Sequence, residues 1–455
     1  MKNQRAVRTA LAILAICSIT SLSTRADENW PQFRGPAALG VAENANLPDT
    51  WSATQNVLWK QEVPGGGWSS PIVWGQKIFL TSVVSDAQGE EQKRGLYLGG
   101  DHKKPPVAIH HWHVLCLDLA TGALLWQRTA HEGRPAESVH LKNTYASETP
   151  VTDGKRVHAY FGNLGVFCYD VDGKPLWSHP IDPHKTTNGW GTGASPTLHD
   201  GRLLILNDNE EQSYLVALDA ATGQEIWRTE RQEKSGWSTP FVWQNGLRTE
   251  IVTVGGNMAR SYDTDGHELW RLGGMSGISI PTPFAAEDVV YLSSGNFMAN
   301  RKPLLAVRAG AAGDISLVGD ESSNAYVAWR QKLASGYNPT PLLYKGRLYV
   351  LRDLGVMACY DAKTGHELYE RRRIPDGRAF TASPWAYNDQ VFCLNEYGAT
   401  TVLEPGPEFK VLRTNKLPED EIYLATPAIV GDRLLVRSDR RLYAIGKAKE
   451  GPAGK

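Results

Sequence analysis

Apolar residues in this chain come in short alternating runs, such as Arg347-Leu348-Tyr349-Val350-Leu351, separated by turns that often carry Gly or Asp. Period-two alternation puts successive side chains on opposite faces of a strand, whereas a helical repeat array would need a 3.6-residue period. The runs recur in a fixed order. Each set opens on a small tripeptide ending in Pro: Ser69-Ser70-Pro71, Glu148-Thr149-Pro150, Ala194-Ser195-Pro196, Ser238-Thr239-Pro240, Pro281-Thr282-Pro283, Pro339-Thr340-Pro341, Ala382-Ser383-Pro384 and Ala425-Thr426-Pro427. The Pro-to-Pro intervals are 79, 46, 44, 43, 58, 43 and 43 residues. The two long intervals place insertions at about 84–109 and about 310–324.

Inside each set, a first run leads to a turn, a second run alternates strongly, a third ends in an Asp-containing turn, and a fourth carries a large aromatic. Asp118-Leu119-Ala120-Thr121-Gly122 leads to Trp126, Asp219-Ala220-Ala221-Thr222-Gly223 to Trp227, and Asp361-Ala362-Lys363-Thr364-Gly365 to Tyr369. Four short strands repeated every 43 residues or so describe the blade of a β-propeller. The pattern predicts an all-β, eight-bladed propeller of four-stranded antiparallel blades. Small Ser, Thr and Ala suit the crowded innermost strand, the Asp can accept backbone N–H bonds in its turn, and the Trp fills the wedge between diverging blades.

The last set starts at Pro427 and has no fourth run of its own. Asn56-Val57-Leu58-Trp59-Lys60-Gln61 supplies one, with Trp59 at the aromatic position. The N-terminal strand is therefore expected to complete the eighth blade and leave no open sheet edge in the ring.

Composition changes the picture only in part. The length of 455 residues would by itself suggest about three domains, and the repeats replace that with one ring. The formal net charge of −1 argues against a dedicated nucleic-acid binder. Residues 1–26 read as a secretory leader: Lys2, Arg5 and Arg8, then an apolar stretch to about Leu22, then Thr24-Arg25-Ala26 with cleavage after about Ala26. A lipid anchor at Cys17 is the alternative, although Ile16 is bulky for the residue before a lipidated Cys. Without the leader, 44 basic residues face 49 acidic ones. The domain reading is a leader at 1–26, one propeller at 27–447 and a flexible tail at 448–455. An exported, periplasmic or extracellular monomer with no transmembrane segment follows. Cys116, Cys168, Cys359 and Cys393 sit in apolar strand patterns and read as buried free thiols.

The Asp-x-x-Thr-Gly-x-x-x-Trp copies resemble the PQQ-repeat (pyrroloquinoline-quinone-like) propellers, which include quinoprotein alcohol dehydrogenases and BamB-type outer-membrane assembly lipoproteins. Trp30-Pro31-Gln32-Phe33-Arg34-Gly35-Pro36 and Lys142-Asn143-Thr144-Tyr145-Ala146-Ser147-Glu148-Thr149-Pro150 resemble signatures of a secreted bacterial subgroup. The resemblance implies the eight-bladed fold. For activity it implies two different things, a scaffold or a dehydrogenase, because the repeat marks blade structure and not chemistry.

Loops leading into the innermost strands and loops joining second to third strands share one face. Trp68, Tyr145, Trp190, Trp237 and Tyr337 lie in the former, Asn163, Asp208 and Asn257 in the latter. With Asn143, Glu148 and Asn338 they are the candidate ligand-binding residues of an aromatic, amide-rich funnel. PQQ with Ca²⁺ would need oxygen donors, which Glu148, Asp208, Asn163 and Asn257 could supply. Quinoprotein alcohol dehydrogenases typically carry adjacent cysteines near the cofactor, and no two Cys are adjacent here. His111 and His113 on one strand face are the candidate metal ligands. No Gly-x-Ser-x-Gly or phosphate-binding glycine loop is present. The reading is a binding or scaffold propeller without catalysis or resident cofactor, whose partner is a protein, peptide or glycan and not nucleic acid. The alternatives are a quinoprotein oxidoreductase with PQQ and Ca²⁺, and a BamB-like assembly scaffold.

Overall fold

The computed structural model describes residues 29–447, apart from 44, 98, 103 and 297. The leader and tail expected at the two ends lie outside the described residues. Eight antiparallel sheets are arranged as the repeats predict. Blade 1 holds strands Ile72–Trp74, Lys77–Ser85, His110–Asp118 and Leu124–Gly133, from the axis outward. Every innermost strand begins directly after the repeat Pro, from Ile72 in blade 1 to Ala428 in blade 8. Pro has no N–H to give a ladder, so the first position of a strand suits it.

The eighth blade closes as expected. Its inner three strands are Ala428–Val430, Arg433–Arg437 and Arg441–Ile445, and Val57–Glu62 is the fourth. Val57 lies opposite Ile445, and Glu62 opposite Arg441. Blade 4 departs from the pattern. The insertion near 310 adds a short strand, Gly313–Asp314, parallel to the outer strand Glu268–Gly273.

Neighbouring blades lock through the outer-strand Trp. The Trp59 indole N–H donates to Leu119 O at 3.1 Å, in the Asp-turn of the next blade. Trp126 donates to Val171 O and Trp329 to Ala362 O, both at 3.1 Å. The turn Gly lies flat on the indole. Gly122 has φ +75°, and a Cβ there would sit 2.5 Å from the Trp59 ring. Only Gly meets both demands. The Asp of the same turn is occupied as expected: Asp118 Oδ1 accepts Thr121 N–H at 2.8 Å. Trp270 breaks the rule. Its N–H turns back to Glu250 Oε2 at 2.8 Å within its own blade.

A second lock runs around the axis. At six of the eight junctions the hydroxyl residue before the Pro accepts the backbone N–H of its counterpart in the preceding blade. Ser70 N donates to Thr149 Oγ1 at 2.9 Å, Thr149 N to Ser195 Oγ at 3.0 Å, and Ser195 N to Thr239 Oγ1 at 3.1 Å. Thr282, Thr340 and Ser383 continue the series to Thr426, each at 3.0 Å. At the closing junction Arg437, fully buried, takes over and donates to Ser69 O at 2.9 Å and Thr81 O at 2.9 Å.

The segment before the first blade forms a strap across the face opposite the funnel. Trp30 exchanges backbone hydrogen bonds with Val73 of blade 1, both at 2.8 Å. Arg34 then donates to Thr340 O at 3.0 Å and Pro341 O at 3.1 Å in blade 6, and to Ala38 O and Leu39 O at 2.9 and 3.0 Å in the strap itself. Ala42 N donates to Ala386 O in blade 7. Beyond it, Trp51 stacks on Phe392 with ring centroids 5.9 Å apart. Burial lowers the Arg34 proton affinity to about 9, so the guanidinium stays charged at neutral pH and is held by carbonyl oxygens. Cys116, Cys168, Cys359 and Cys393 are free and buried. Among the described residues no helix is long and apolar enough to cross a membrane.

Candidate functional site

The funnel face carries a cavity of about 560 Å³ over the axis, within the range of small-ligand pockets. All eight Ser and Thr residues that precede a repeat Pro line it, one from each blade. Six of these hydroxyl oxygens accept N–H bonds from the neighbouring blade, and their own protons remain to be donated. Phe33 of the strap lines this cavity and also one of about 400 Å³ on the opposite face. The ring therefore has a blind pocket instead of a through-channel.

The upper wall is aromatic. Trp68, Tyr97, Trp190, Trp237 and Tyr337 all line the cavity. The Trp190 and Trp237 rings lie 5.7 Å apart at 41°, forming a shallow V. Their polar edges are already engaged. Trp68 Nε1 donates to Lys142 O at 3.0 Å, Trp190 Nε1 to Asp101 Oδ1 at 2.6 Å, and Trp237 Nε1 to Gly191 O at 2.7 Å. What remains for a ligand is the ring face. Asn143 positions this wall, its amide donating to Trp190 O and Thr192 O at 2.8 and 2.9 Å.

The blade-1 insertion forms an arm over the funnel. Arg94 reaches blades 7 and 8, donating to Glu396 O at 3.2 Å and to Glu419 O and Glu421 O at 2.9 Å. Its guanidinium lies over the Tyr397 ring, and so does that of Arg378. Gly95 N and Lys142 Nζ both donate to the buried Glu396 carboxylate, at 2.6 and 2.5 Å. His140 stacks on Tyr97 at 5.6 Å. Its Nε2 pairs with Gly99 O at 3.0 Å, and its Nδ1 accepts Lys142 N–H at 3.1 Å. Burial lowers its proton affinity, so the ring is neutral at physiological pH.

Of the eleven candidate residues, Trp68, Asn143, Trp190, Trp237, Tyr337 and Asn338 line the cavity. The other five lie outside the lining. Tyr145 tucks behind the wall with its hydroxyl on Glu137 O at 2.8 Å. Asn163 binds the backbone of His184 in both directions. Asp208 and Arg231 form a fully buried pair at 2.8 Å. Asn257 is exposed with φ +73° and exchanges backbone bonds with the segment Met275–Ser276. Glu148 is buried behind Thr192, and burial pushes its carboxyl up to about 7. Phe33, Tyr97, Asp101, His140 and Lys142 line the cavity and were not singled out as site residues. Only Phe33 and Lys142 fall within the two signature stretches that sequence reading marked.

The PQQ resemblance raises the question of a quinone and calcium. The oxygen donors proposed for calcium do not converge: Asp208 is neutralised by Arg231, and Asn163 serves His184. Among the described residues no group of three or more His, Cys, Asp or Glu is placed to hold a metal. The quinone's carboxylates need cations, and the one lysine in the described lining, Lys142, is paired with Glu396. The described residues therefore do not fit that cofactor set. His111 and His113 face each other at 6.4 Å, but His111 is held from opposite ring nitrogens by Asp86 at 2.9 Å and Glu132 at 3.3 Å. Those donors diverge and cannot meet at one ion.

The family model described as outer membrane protein assembly factor BamB matches residues 110–234, 166–300 and 301–451. The BamB of Burkholderia pseudomallei (strain K96243) is 23% identical over 207 residues, covering 41% of this chain and 50% of that protein. A polyvinylalcohol dehydrogenase of Pseudomonas sp is 24% identical over 257 residues, covering 53% of this chain and 31% of that protein. The chain thus spans half or less of the length of these curated relatives. Among solved structures, a europium-containing methanol dehydrogenase superposes with TM-score 0.60 at 11% identity, covering 92% of this chain and 98% of that one. The quinohemoprotein alcohol dehydrogenase from Comamonas testosteroni gives 0.59 at 11%, covering 94% and 82%. At that identity the likeness establishes the fold alone.

Proposed function

The chain belongs to the PQQ-repeat family whose model is described as outer membrane protein assembly factor BamB, and from that premise we propose that it is an exported, non-catalytic binding propeller working through the funnel cavity. The observation that carries this reading is the blind pocket itself. Its aromatic faces are presented while the indole N–H groups are internally engaged, and hydroxyls from all eight blades line it. Preformed concave surfaces of this kind suit reversible capture. The leader at 1–26, the single propeller over 27–447, the tail at 448–455 and a monomeric state belong to the same proposal. So does the absence of a resident cofactor, supported by the scattered oxygen donors and the Lys142–Glu396 pair.

The relatives include both an assembly factor and a dehydrogenase, so the test must separate binding from quinone chemistry. Mass spectrometry of what co-purifies with the native protein, compared with a Trp190→Ala/Trp237→Ala double variant, should show a species lost in the variant. Retention of everything in the variant would move the site off the funnel. Titration with PQQ and Ca²⁺ should give no bound-quinone spectrum, and a saturable one would replace this reading with the dehydrogenase.

A further inference from the structure

We infer that the ligand is a neutral carbohydrate, and that the cavity takes the end of a glycan chain and not its middle. This rests on the funnel being the binding site. Three features select the chemistry. First, Trp68, Trp190 and Trp237 offer ring faces and not N–H donors, because each indole N–H is committed at 2.6 to 3.0 Å. The electron-rich face of an indole attracts the polarised C–H groups of a sugar ring. Second, the hydroxyl residues at the base can each both donate and accept, matching a ligand whose polar groups are also hydroxyls.

Third, the described lining offers no uncommitted positive charge. Lys142 is paired with Glu396, His140 is neutral and engaged through both ring nitrogens, and Asp101, which accepts the Trp190 N–H, keeps its negative charge. An anionic ligand would be desolvated there without a counter-ion and beside the Asp101 carboxylate, which is unfavourable. A peptide is disfavoured for a related reason. It needs free backbone partners, and at the level of the hydroxyl ring the N–H groups of Ser70, Thr149, Ser195, Thr282, Thr340 and Ser383 already donate to the next blade.

The direction of binding follows from the base of the cavity. Phe33 lies beneath the hydroxyls, anchored by Trp30 on blade 1 and by Arg34 on blade 6. A chain cannot thread through, so a terminal sugar must enter from the funnel.

Calorimetry with the full chain and neutral tetrasaccharides (gluco-, xylo-, manno-, galacto- and N-acetylglucosamine series) tests this. At least one series should bind. Its uronic-acid or sulfated counterpart should bind at least about tenfold more weakly. A bulky fluorophore on one chain end should abolish binding, and on the other end should be tolerated. Trp190→Ala/Trp237→Ala should weaken binding at least about tenfold, and Trp190→Phe/Trp237→Phe should restore most of it, since faces and not N–H groups make the contact. Equal binding of charged counterparts, tolerance of both end labels, or no binding in any series overturns the inference. Were a peptide library captured, with capture lost in the Ala variant, the funnel would stand and the carbohydrate would fall. Saccharide binding undiminished in the Ala variant would place the site elsewhere and remove the funnel reading itself.

Discussion

On the strap face, the segment Trp30–Ala42 lies across the ring and is held through backbone partners, with Arg34 spread over four carbonyl oxygens, although the buried Trp30 Nε1–H has no partner. On the funnel face, loops meet around open space and keep groups in unfavourable surroundings. Glu148 holds a carboxyl pushed up to about 7 by burial, and its Oε1 has no protein partner. Asp353 is also raised by burial, although Tyr337 and Asn338 N–H groups donate to it at 2.9 and 3.0 Å. One face is built as a closure and the other retains local cost beside a cavity, a division expected where stability and binding compete.

The largest expected effect comes from removing residues 29–62, which deletes strap and closing strand together. Blade 8 loses its fourth strand and blade 1 the docking of Trp59 on its turn. Calorimetry should show loss of the cooperative unfolding transition. A melting temperature within a few degrees of the intact protein would break the comparison, because the strap face would then be dispensable.

A middle effect is expected from Arg34→Met. It leaves carbonyls of blade 6 and of the strap without donors, and stranding a buried acceptor costs about 1–3 kcal/mol. Trp190→Ala on the other face, where the indole is only half-buried, should cost less than half as much. Urea midpoints at constant slope measure both. Equal losses would mean that the faces do not differ in structural weight.

The smallest effect has the opposite sign. The Glu148 carboxyl has a folded-state pKa raised above its ordinary 4.5 to about 7. An acid with a raised folded pKa opposes folding once ionised, so its cost grows from about pH 4.5 to pH 7 and is fully present above that. Glu148→Gln should therefore stabilise the protein at pH 8 by on the order of 2 kcal/mol and much less at pH 5. A stabilisation independent of pH would assign the gain to packing and not to the charge.

The ring was legible because its rules are periodic. Ser-Pro and Thr-Pro steps, Asp-turns and outer Trp residues recur at one spacing, and the lone run Asn56–Gln61 had a single vacancy to fill. The strap was not legible, since Trp30 and Arg34 find partners far along the chain at Val73, Thr340 and Pro341, with no repeat to announce them. The short strand Gly313–Asp314 escaped for the same reason: it joins the preceding blade and not its own. In the funnel, loop position could be read but side-chain direction could not. Asp208 turns into the wall because Arg231 waits there, whereas Trp190 faces the cavity because Asn143 holds its backbone.

The closing strand also imposes a clock. Val57–Glu62 precedes the other strands of the ring in synthesis and pairs with Arg441–Ile445, which follows them all. Joining segments so far apart carries a large loop-closure entropy and must wait for the final blade. Until then the ring is an open arc with two bare sheet edges, each able to recruit a strand from another chain. Crowded nascent chains should therefore exchange N-terminal strands, and a domain-swapped dimer is the misassembly to look for when this protein is refolded at high concentration.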